Sequence, residues 1–213
     1  GEAEILNLFN VGAAWASRHA FKSLILGKTY YSCIFSDERL VKFISKYPIR
    51  TLIGSPLQIS AFLESHEKTG IKLPLLRTIC MGGSSPSLKF IDRIKSQLDC
   101  KVFNTYGSVE AGFVGVCEAH GQDAYTFSIR PPVLLQIVDE NNQLLPDGEV
   151  GIVRYQRPDM ATSYYKNPEI SAQFFKDGFF FPGDRGFLDQ QGRLVLDGRT
   201  NEIINIGGAK LNP

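Results

Sequence analysis

The chain has 213 residues, 43% of them hydrophobic and 21% charged, a balance typical of a globular protein that excludes a disordered one. Its 23 Lys and Arg nearly match its 22 Asp and Glu, and the net charge of +1 argues against nucleic acid as a partner. No apolar stretch approaches the roughly eighteen residues of a spanning helix, and the N-terminus lacks a signal-peptide pattern, so we expect a soluble, cytoplasmic protein without a membrane span.

Two helices are predicted in the first fifty residues. Residues 12–26 form a largely apolar run without Pro that is closed by Gly27, a pattern typical of a buried helix with a left-handed cap. Ser36 and Asp37 then offer a cap for a second helix, which ends before Pro48.

A repeated pattern follows, in which an apolar strand leads through small residues to Pro at the first position of a helix. The first copy joins strand 51–53 to Pro56, and the second joins strand 77–81 to Pro86. The turn of the second copy consists of Gly82, Gly83 and Ser84, followed by Ser85 as the predicted cap.

A third strand, 101–104, leads into the turn Thr105-Tyr106-Gly107-Ser108-Val109-Glu110. Strands that alternate with helices predict an α/β fold, a parallel sheet with flanking helices and right-handed crossovers. Because ligands bind where the carboxyl ends of such strands gather, we expect turns 82–84 and 106–110 to be neighbours in space.

After Gly121 the pattern changes to short apolar runs at close spacing, which predicts an antiparallel, β-barrel-like subdomain. We therefore assign residues 1–120 to the α/β subdomain and residues 121–197 to the β subdomain. The turn signals between the runs are Glu140-Asn141-Asn142, Pro146-Asp147-Gly148, Asp177-Gly178 and Gln191-Gly192.

The four cysteines are far apart and include no C-x-x-C pair, so we expect reduced, mostly buried thiols. Cys117 and His120 could supply two zinc ligands, but a zinc site needs three or four converging ligands and no others lie nearby in the sequence. We interpret both residues as structural.

Three motifs stand in a fixed order: Met81-Gly82-Gly83-Ser84-Ser85-Pro86, the 105–110 segment, and Phe181-Pro182-Gly183-Asp184 with a later Gly198-Arg199. With these motifs the chain resembles the adenylate-forming superfamily of acyl-CoA and aryl-CoA synthetases, firefly luciferase and peptide-synthetase adenylation domains. The resemblance extends over nearly the whole chain, from about residue 7, and implies a fragment of an AMP-binding enzyme.

The resemblance implies a role for each motif. Tyr106 would stack on adenine and Glu110 would hold Mg²⁺, since an aromatic face suits a purine and a hard cation prefers carboxylate oxygen. Asp184 would accept hydrogen bonds from the ribose hydroxyls, and Arg199 would contact the ribose or a phosphate. The other residues of the implied nucleotide site are Gly82, Gly83, Ser84, Thr105 and Gly107.

Three positions depart from the family pattern. Val109 replaces a Thr and has no hydroxyl for the α-phosphate. Asn10, which with Gly82 would border the acid, replaces an Asp or a His. Because a neutral amide cannot form an ion pair with an ammonium group, Asn10 favours a fatty or aryl acid over an α-amino acid as the substrate. Asn201 occupies the family's hinge, so residues 198–213 would be the hinge and the start of a C-terminal domain that rotates between adenylation and thioester formation.

The implied function is that of an AMP-forming acid:CoA ligase, which activates a carboxylic acid with ATP and transfers it to coenzyme A. The alternatives are an adenylation domain that loads the phosphopantetheine of a carrier protein, and a non-catalytic relative that binds a nucleotide or an acyl ligand. The 213 residues contain neither the family's phosphate loop nor its C-terminal catalytic Lys, for which Lys210 is misplaced. Since the chain also starts at Gly1 rather than Met, we expect a piece of a longer enzyme, inactive alone.

Overall fold

The computed structural model groups the chain into two compact units. The described residues are 4–33, 35–199, 204–206 and 209–211. The first unit comprises residues 1–104 and 118–124, and the second comprises residues 105–117 and 125–213. The domain boundaries drawn from the sequence stay predictions.

Helices and strands alternate through the first unit. They are β1 (Glu4–Asn7), α1 (Ala14–Ile25), β2 (Tyr30–Ser32), α2 (Glu38–Lys46), β3 (Ile49–Gly54), α3 (Pro56–Thr69), β4 (Thr78–Met81), α4 (Leu88–Gln97) and β5 (Lys101–Ser108), whose second half lies in the second unit. The strand order is β2-β1-β3-β4-β5, and every neighbouring pair is parallel. The predicted parallel α/β sheet is confirmed.

Local capping explains where two of the helices begin. The Ser55 hydroxyl accepts from the Gln58 amide at 3.3 Å, and the Gln58 side chain accepts from the Ser55 amide at 2.9 Å, a capping box completed by Pro56. Asp37 caps α2 through the Arg39 amide at 3.0 Å. Both predicted starts are confirmed.

The predicted start of α4 is wrong. Ser87, rather than Ser85, caps this helix by accepting from the amide of Phe90 at 3.2 Å. Pro86 therefore precedes the cap instead of occupying the first helical position, and the helix begins at Leu88. The sequence offers two serines around one proline, and the choice between them depends on which hydroxyl reaches a free amide.

Helix α1 is confirmed as a helix but is not buried. Gly27 has the predicted left-handed conformation, with φ of 62°. Only Ala16 and Ser23 are buried, whereas Phe21 and Ile25 are 65% and 84% exposed. No described element of the first unit covers this apolar face, so the composition of the run overestimates its burial in this chain.

The rest of the chain consists mainly of short strands. The elements are β6 (Gly112–Glu118), a 3₁₀ turn (Gly121–Tyr125), β7 (Thr126–Ile129), β8 (Leu134–Val138), β9 (Gly151–Gln156), α5 (Pro168–Phe174), β10 (Phe175–Lys176), β11 (Phe179–Phe180), β12 (Asp184–Leu188), β13 (Leu194–Arg199), β14 (Ile204–Ile206) and β15 (Ala209–Leu211). In the second unit the order is β6-β7-β13-β12-β9, with β8 and the β10–β11 hairpin also attached through β9. All these pairs are antiparallel, as predicted.

The predicted turn signals match positive backbone angles. Asp177 and Gly178 join β10 to β11 with φ of 51° and 79°, and Gly192 joins β12 to β13 with φ of 70°. Asn142 has φ of 68° in the turn after β8. The Gly192 turn sets the register of the β12–β13 hairpin as far as Gly186 opposite Leu196. A bulge then shifts the register between Gly186 and Arg185, and the shifted register pairs Asp184 with Arg199 in the site described below.

All four cysteines are free thiols, but only Cys117 is buried, so the expectation of mostly buried thiols is wrong. The described part of the chain holds no group of three or more His, Cys, Asp or Glu side chains that could bind a metal. Nor does it contain a helix that could cross a bilayer, since the longest described helix, α3, has 14 residues.

Candidate functional site

Three predicted site residues meet in the second unit around one carboxylate. Asp184, the first residue of β12, faces Arg199, the last residue of β13, as a cross-strand pair. The Nε of Arg199 donates to Oδ1 of Asp184 at 2.8 Å, and the hydroxyl of Tyr106 on β5 donates to Oδ2 at 2.6 Å. The carboxylate therefore has one donor on each oxygen.

Burial makes these two donors necessary. Asp184 is only 6% exposed, and an ionised carboxylate is costly to bury without hydrogen bonds or a cation. Burial, together with the neighbouring Tyr155 and Asp184, raises the pKa of Tyr106 well above its ordinary value. Tyr106 consequently stays protonated at neutral pH and acts as a donor to Asp184.

The ring of Tyr106 is supported by other aromatic rings. Its centroid lies 5.5 Å from that of Phe127 and 6.1 Å from that of Tyr155, the second in an edge-to-face arrangement. Tyr155 is fully buried, whereas Tyr106 keeps part of its surface exposed. The supporting rings fix the plane of Tyr106 at the edge of the core.

The turn predicted at residues 106–110 begins only after Ser108, because β5 continues through that residue. Gly107 lies inside the strand, where a Cβ atom would overlap the carbonyl oxygen of Gly112 and lie 3.2 Å from the Cα of Phe113. The Ser108 hydroxyl accepts from the Ala111 amide at 3.1 Å and closes the turn. Only a glycine at position 107 permits this close approach of β5 and β6.

Val109 and Glu110 lie in the turn between β5 and β6, with Val109 81% exposed and Glu110 half-buried. Oε1 of Glu110 accepts a hydrogen bond from the hydroxyl of Tyr164 at 2.6 Å. Among the described residues no donor lies on Oε2, so one carboxylate oxygen is left for a cation. A single free carboxylate oxygen fits Mg²⁺, which proteins bind through one or two carboxylates together with substrate phosphates.

Four further predicted residues, Gly82, Gly83, Ser84 and Asn10, lie in the first unit. Gly82 and Gly83 follow β4, and Gly83 has φ of 86°, at a place where a Cβ atom would lie 4.0 Å from the Phe9 ring. Asn10 is exposed, and its Oδ1 accepts from the Gly12 amide at 2.8 Å in the turn before α1. Ser84, which follows the two glycines, is half-buried.

Trp15, on α1, lies 5.2 Å from the Phe9 ring and 5.8 Å from the His19 ring, measured between centroids. Burial, followed by the charges of Lys22 and Arg18, lowers the pKa of His19, so this aromatic cluster is uncharged at neutral pH. An uncharged aromatic cluster offers apolar contacts and no carboxylate that could pair with an ammonium group.

Two predicted residues, Thr105 and Asn201, are not among the groups described above, and two further residues were not predicted. Thr105 belongs to the second unit through β5, and Asn201 lies outside the described residues. Sequence reasoning missed His19 and Tyr164. The i,i+4 spacing of Trp15 and His19 was a usable signal, whereas nothing in the sequence connects Tyr164 with a residue 54 positions earlier.

A protein-family model described as "AMP-binding enzyme" matches residues 21–165, more than half of the chain. The chain belongs to the AMP-binding enzyme family. This membership confirms the resemblance inferred from the ordered motifs.

Individual relatives agree with the family. The chain is 29% identical over 192 residues to the mitochondrial acyl-coenzyme A synthetase ACSM2 of Rattus norvegicus, covering 84% of this chain and 32% of the relative. It is 25% identical over 213 residues to the fatty acid–[acyl-carrier-protein] ligase ScoC of Streptomyces coeruleorubidus, covering 96% and 40%. The chain thus spans about a third of the length of the curated relatives it matches.

The fold is shared with solved structures. The amide bond synthetase McbA of Marinactinospora thermotolerans superposes with a TM-score of 0.88 at 22% identity, covering 99% of this chain and 44% of that one. At this identity the likeness establishes the fold and leaves the chemistry to the site residues.

Proposed function

We propose that the protein acts as an AMP-forming acid–thiol ligase. In the first step a carboxylate oxygen of the acid attacks the α-phosphate of ATP, forming the acyl adenylate and releasing pyrophosphate. In the second step a thiolate attacks the acyl carbon and releases AMP. The observation that carries this proposal is the buried Asp184 carboxylate held between Tyr106 and Arg199 in a chain of the AMP-binding family.

Asp184 is well suited to bind a ribose. Each carboxylate oxygen has two acceptor sites, and the two donors described use one on each oxygen. The remaining sites can accept the two hydroxyls of a ribose. Tyr106 would then stack its exposed face on adenine, with Phe127 supporting the ring.

Arg199 and Glu110 would bind the charged end of the nucleotide. Arg199 uses its Nε for Asp184, and its other N–H groups remain suitable for a ribose oxygen or a phosphate. Glu110 would hold Mg²⁺ through Oε2, and the bound ion would neutralise phosphate charge during adenylation. These two residues are the proposed catalytic groups.

The first unit would bind the acid. The turn 82–84 would border the acyl group, since Gly82 and Gly83 carry no side chains that would block a close approach. Asn10, neutral and exposed, cannot pair with an α-ammonium group, and the uncharged Trp15 cluster suits an apolar acid. We propose a fatty or aryl acid, activated in the cytoplasm.

Coenzyme A is the proposed thiol, because ACSM2 is named as an acyl-coenzyme A synthetase. A carrier-protein phosphopantetheine is the second candidate, favoured by the similarity to ScoC, which is named as an acyl-carrier-protein ligase. A non-catalytic nucleotide or acyl-binding role would agree with the exposed Val109, whose side chain cannot bind phosphate.

The deciding experiment is ATP–pyrophosphate exchange by the protein expressed from its complete reading frame, with fatty, aryl and amino acids supplied in turn. Exchange with one class would establish adenylation and its substrate, whereas no exchange with any acid would favour a non-catalytic relative. Residues 1–213 alone should give no exchange.

The Asp184→Ala variant should weaken ATP use by about 1.5–3 kcal/mol, the scale of a hydrogen bond to a charged group. Asp189→Ala is the matched control, because Asp189 pairs with Arg193 at 2.7 Å on the same hairpin. Equal losses in both variants would contradict the assignment of Asp184.

A further inference from the structure

Among the described residues, the segment 157–164 is joined to the turn that holds Glu110 and to the start of β6 by four hydrogen bonds. The Arg157 guanidinium donates to the carbonyl oxygens of Ala111 at 3.2 Å and Phe113 at 2.9 Å. The amide of Ala161 donates to the carbonyl oxygen of Glu110 at 2.8 Å, and the Tyr164 hydroxyl donates to the Glu110 carboxylate at 2.6 Å. Three of these bonds go to backbone carbonyl oxygens of the turn and the start of β6, and the fourth goes to the carboxylate of Glu110.

Tyr164 is itself rigidly held. Its amide donates to the Ser171 hydroxyl at 2.8 Å, which fixes its backbone to α5. Its ring meets Phe174 and Phe175 edge-on, with centroid distances of 6.1 and 5.3 Å and interplanar angles of 86° and 68°. The hydroxyl therefore has a defined position toward Glu110 before any ligand binds.

We propose that Tyr164 is a positioning residue that holds Oε1 of Glu110 and thereby presents Oε2 to the Mg²⁺ of the bound nucleotide. This inference rests on the proposed role of Glu110. Tyr164 does not contact substrate in the proposal, because it acts through the carboxylate.

The chemistry of the Tyr164–Glu110 pair supports a positioning role for Tyr164. A tyrosine hydroxyl is protonated at neutral pH, so Tyr164 is a donor to Oε1 of Glu110 under working conditions. A glutamate side chain has three rotatable bonds and loses conformational freedom when it binds a cation. A carboxylate already restrained by a fixed donor loses less of that freedom on binding.

The test uses the protein from its complete reading frame, with ATP binding measured by calorimetry in Mg²⁺ and again in EDTA. Tyr164→Phe removes the hydroxyl and keeps the ring, and Tyr165→Phe is the matched control because Tyr165 is 87% exposed. Tyr164→Phe should weaken binding in Mg²⁺ by roughly tenfold to a hundredfold, the scale for residues that orient metal ligands, and should leave binding in EDTA unchanged. Tyr165→Phe should change neither value.

Glu110→Gln distinguishes a failure of the proposed role of Glu110 from a failure of the positioning role of Tyr164. If Glu110→Gln leaves the Mg²⁺-dependent affinity intact, the role of Glu110 is wrong and the role of Tyr164 is wrong with it. If Glu110→Gln loses that affinity while Tyr164→Phe keeps it, only the positioning role is overturned.

A double-mutant cycle excludes a general structural effect. In the Glu110→Gln background, Tyr164→Phe should cause no further loss in Mg²⁺, because the residue acts only through the carboxylate. Additive losses, or equal losses in Mg²⁺ and EDTA, would show a structural role and overturn the inference.

Discussion

Two separable functions are proposed for Tyr106, and replacing it by Phe or by Leu distinguishes them. Tyr106→Phe removes the hydroxyl that donates to Asp184 at 2.6 Å and keeps the ring between Phe127 and the proposed adenine. Tyr106→Leu removes both. The structure thus allows the hydrogen bond and the stacking to be measured at one position.

The expected magnitudes follow from the contacts. Asp184 is 6% exposed and keeps the Arg199 donor, so loss of the Tyr106 hydroxyl leaves a buried oxygen with one donor fewer. A hydrogen bond to a charged group contributes about 1.5–3 kcal/mol, and we expect Tyr106→Phe to weaken ATP binding by about tenfold, at the lower end of that range. Tyr106→Leu should cost a further 1–3 kcal/mol, roughly the value of stacking one base on an aromatic ring.

The assay is ATP binding to the complete protein by calorimetry, with thermal unfolding as a check on folding. Because the pKa of Tyr106 is raised, the difference between wild type and Tyr106→Phe should stay constant from about pH 7 to 9. Equal affinities for the Phe and Leu variants would refute stacking by the ring. An unchanged affinity for Tyr106→Phe would refute the role of its hydroxyl in orienting Asp184.

Two further variants concern the turn between β5 and β6. Val109→Thr should increase the rate of pyrophosphate exchange severalfold, because the exposed side chain gains a hydroxyl for phosphate. An unchanged rate would show that position 109 does not limit adenylation. Gly107→Ala should lower the unfolding free energy by more than about 2 kcal/mol, because the added Cβ would overlap the Gly112 carbonyl oxygen. Thermal or urea unfolding measures this loss. A stability equal to wild type would contradict the close approach of β5 and β6.

The sequence predicts best where a signal is local. The start of α3 follows from Ser55, Pro56 and Gln58 within four positions, and the Asp177-Gly178 hairpin follows from two adjacent residues. The start of α4 was wrong by two residues because Ser85 and Ser87 are both plausible caps, and only the folded chain shows which hydroxyl meets an amide.

The candidate site was predictable where motifs have a fixed order. Tyr106, Asp184 and Arg199 were each selected from such motifs, and their convergence on one carboxylate required the strand register of the folded chain. The contact between Glu110 and Tyr164 was not predictable, since it depends on how α5 and its preceding loop pack on a turn 54 residues away. Burial of α1 was overestimated for a similar reason: composition does not reveal whether a partner surface is present.

The aromatic cluster on α1 contains the single tryptophan of the sequence. Trp15 belongs to the first unit, beside Phe9 and His19, whereas Tyr106, Asp184 and Arg199 belong to the second. In residues 1–213, selectively excited indole fluorescence therefore originates from the unit proposed to bind the acid. Within residues 1–213, Trp15 is an intrinsic fluorescent reporter of that unit and needs no added label.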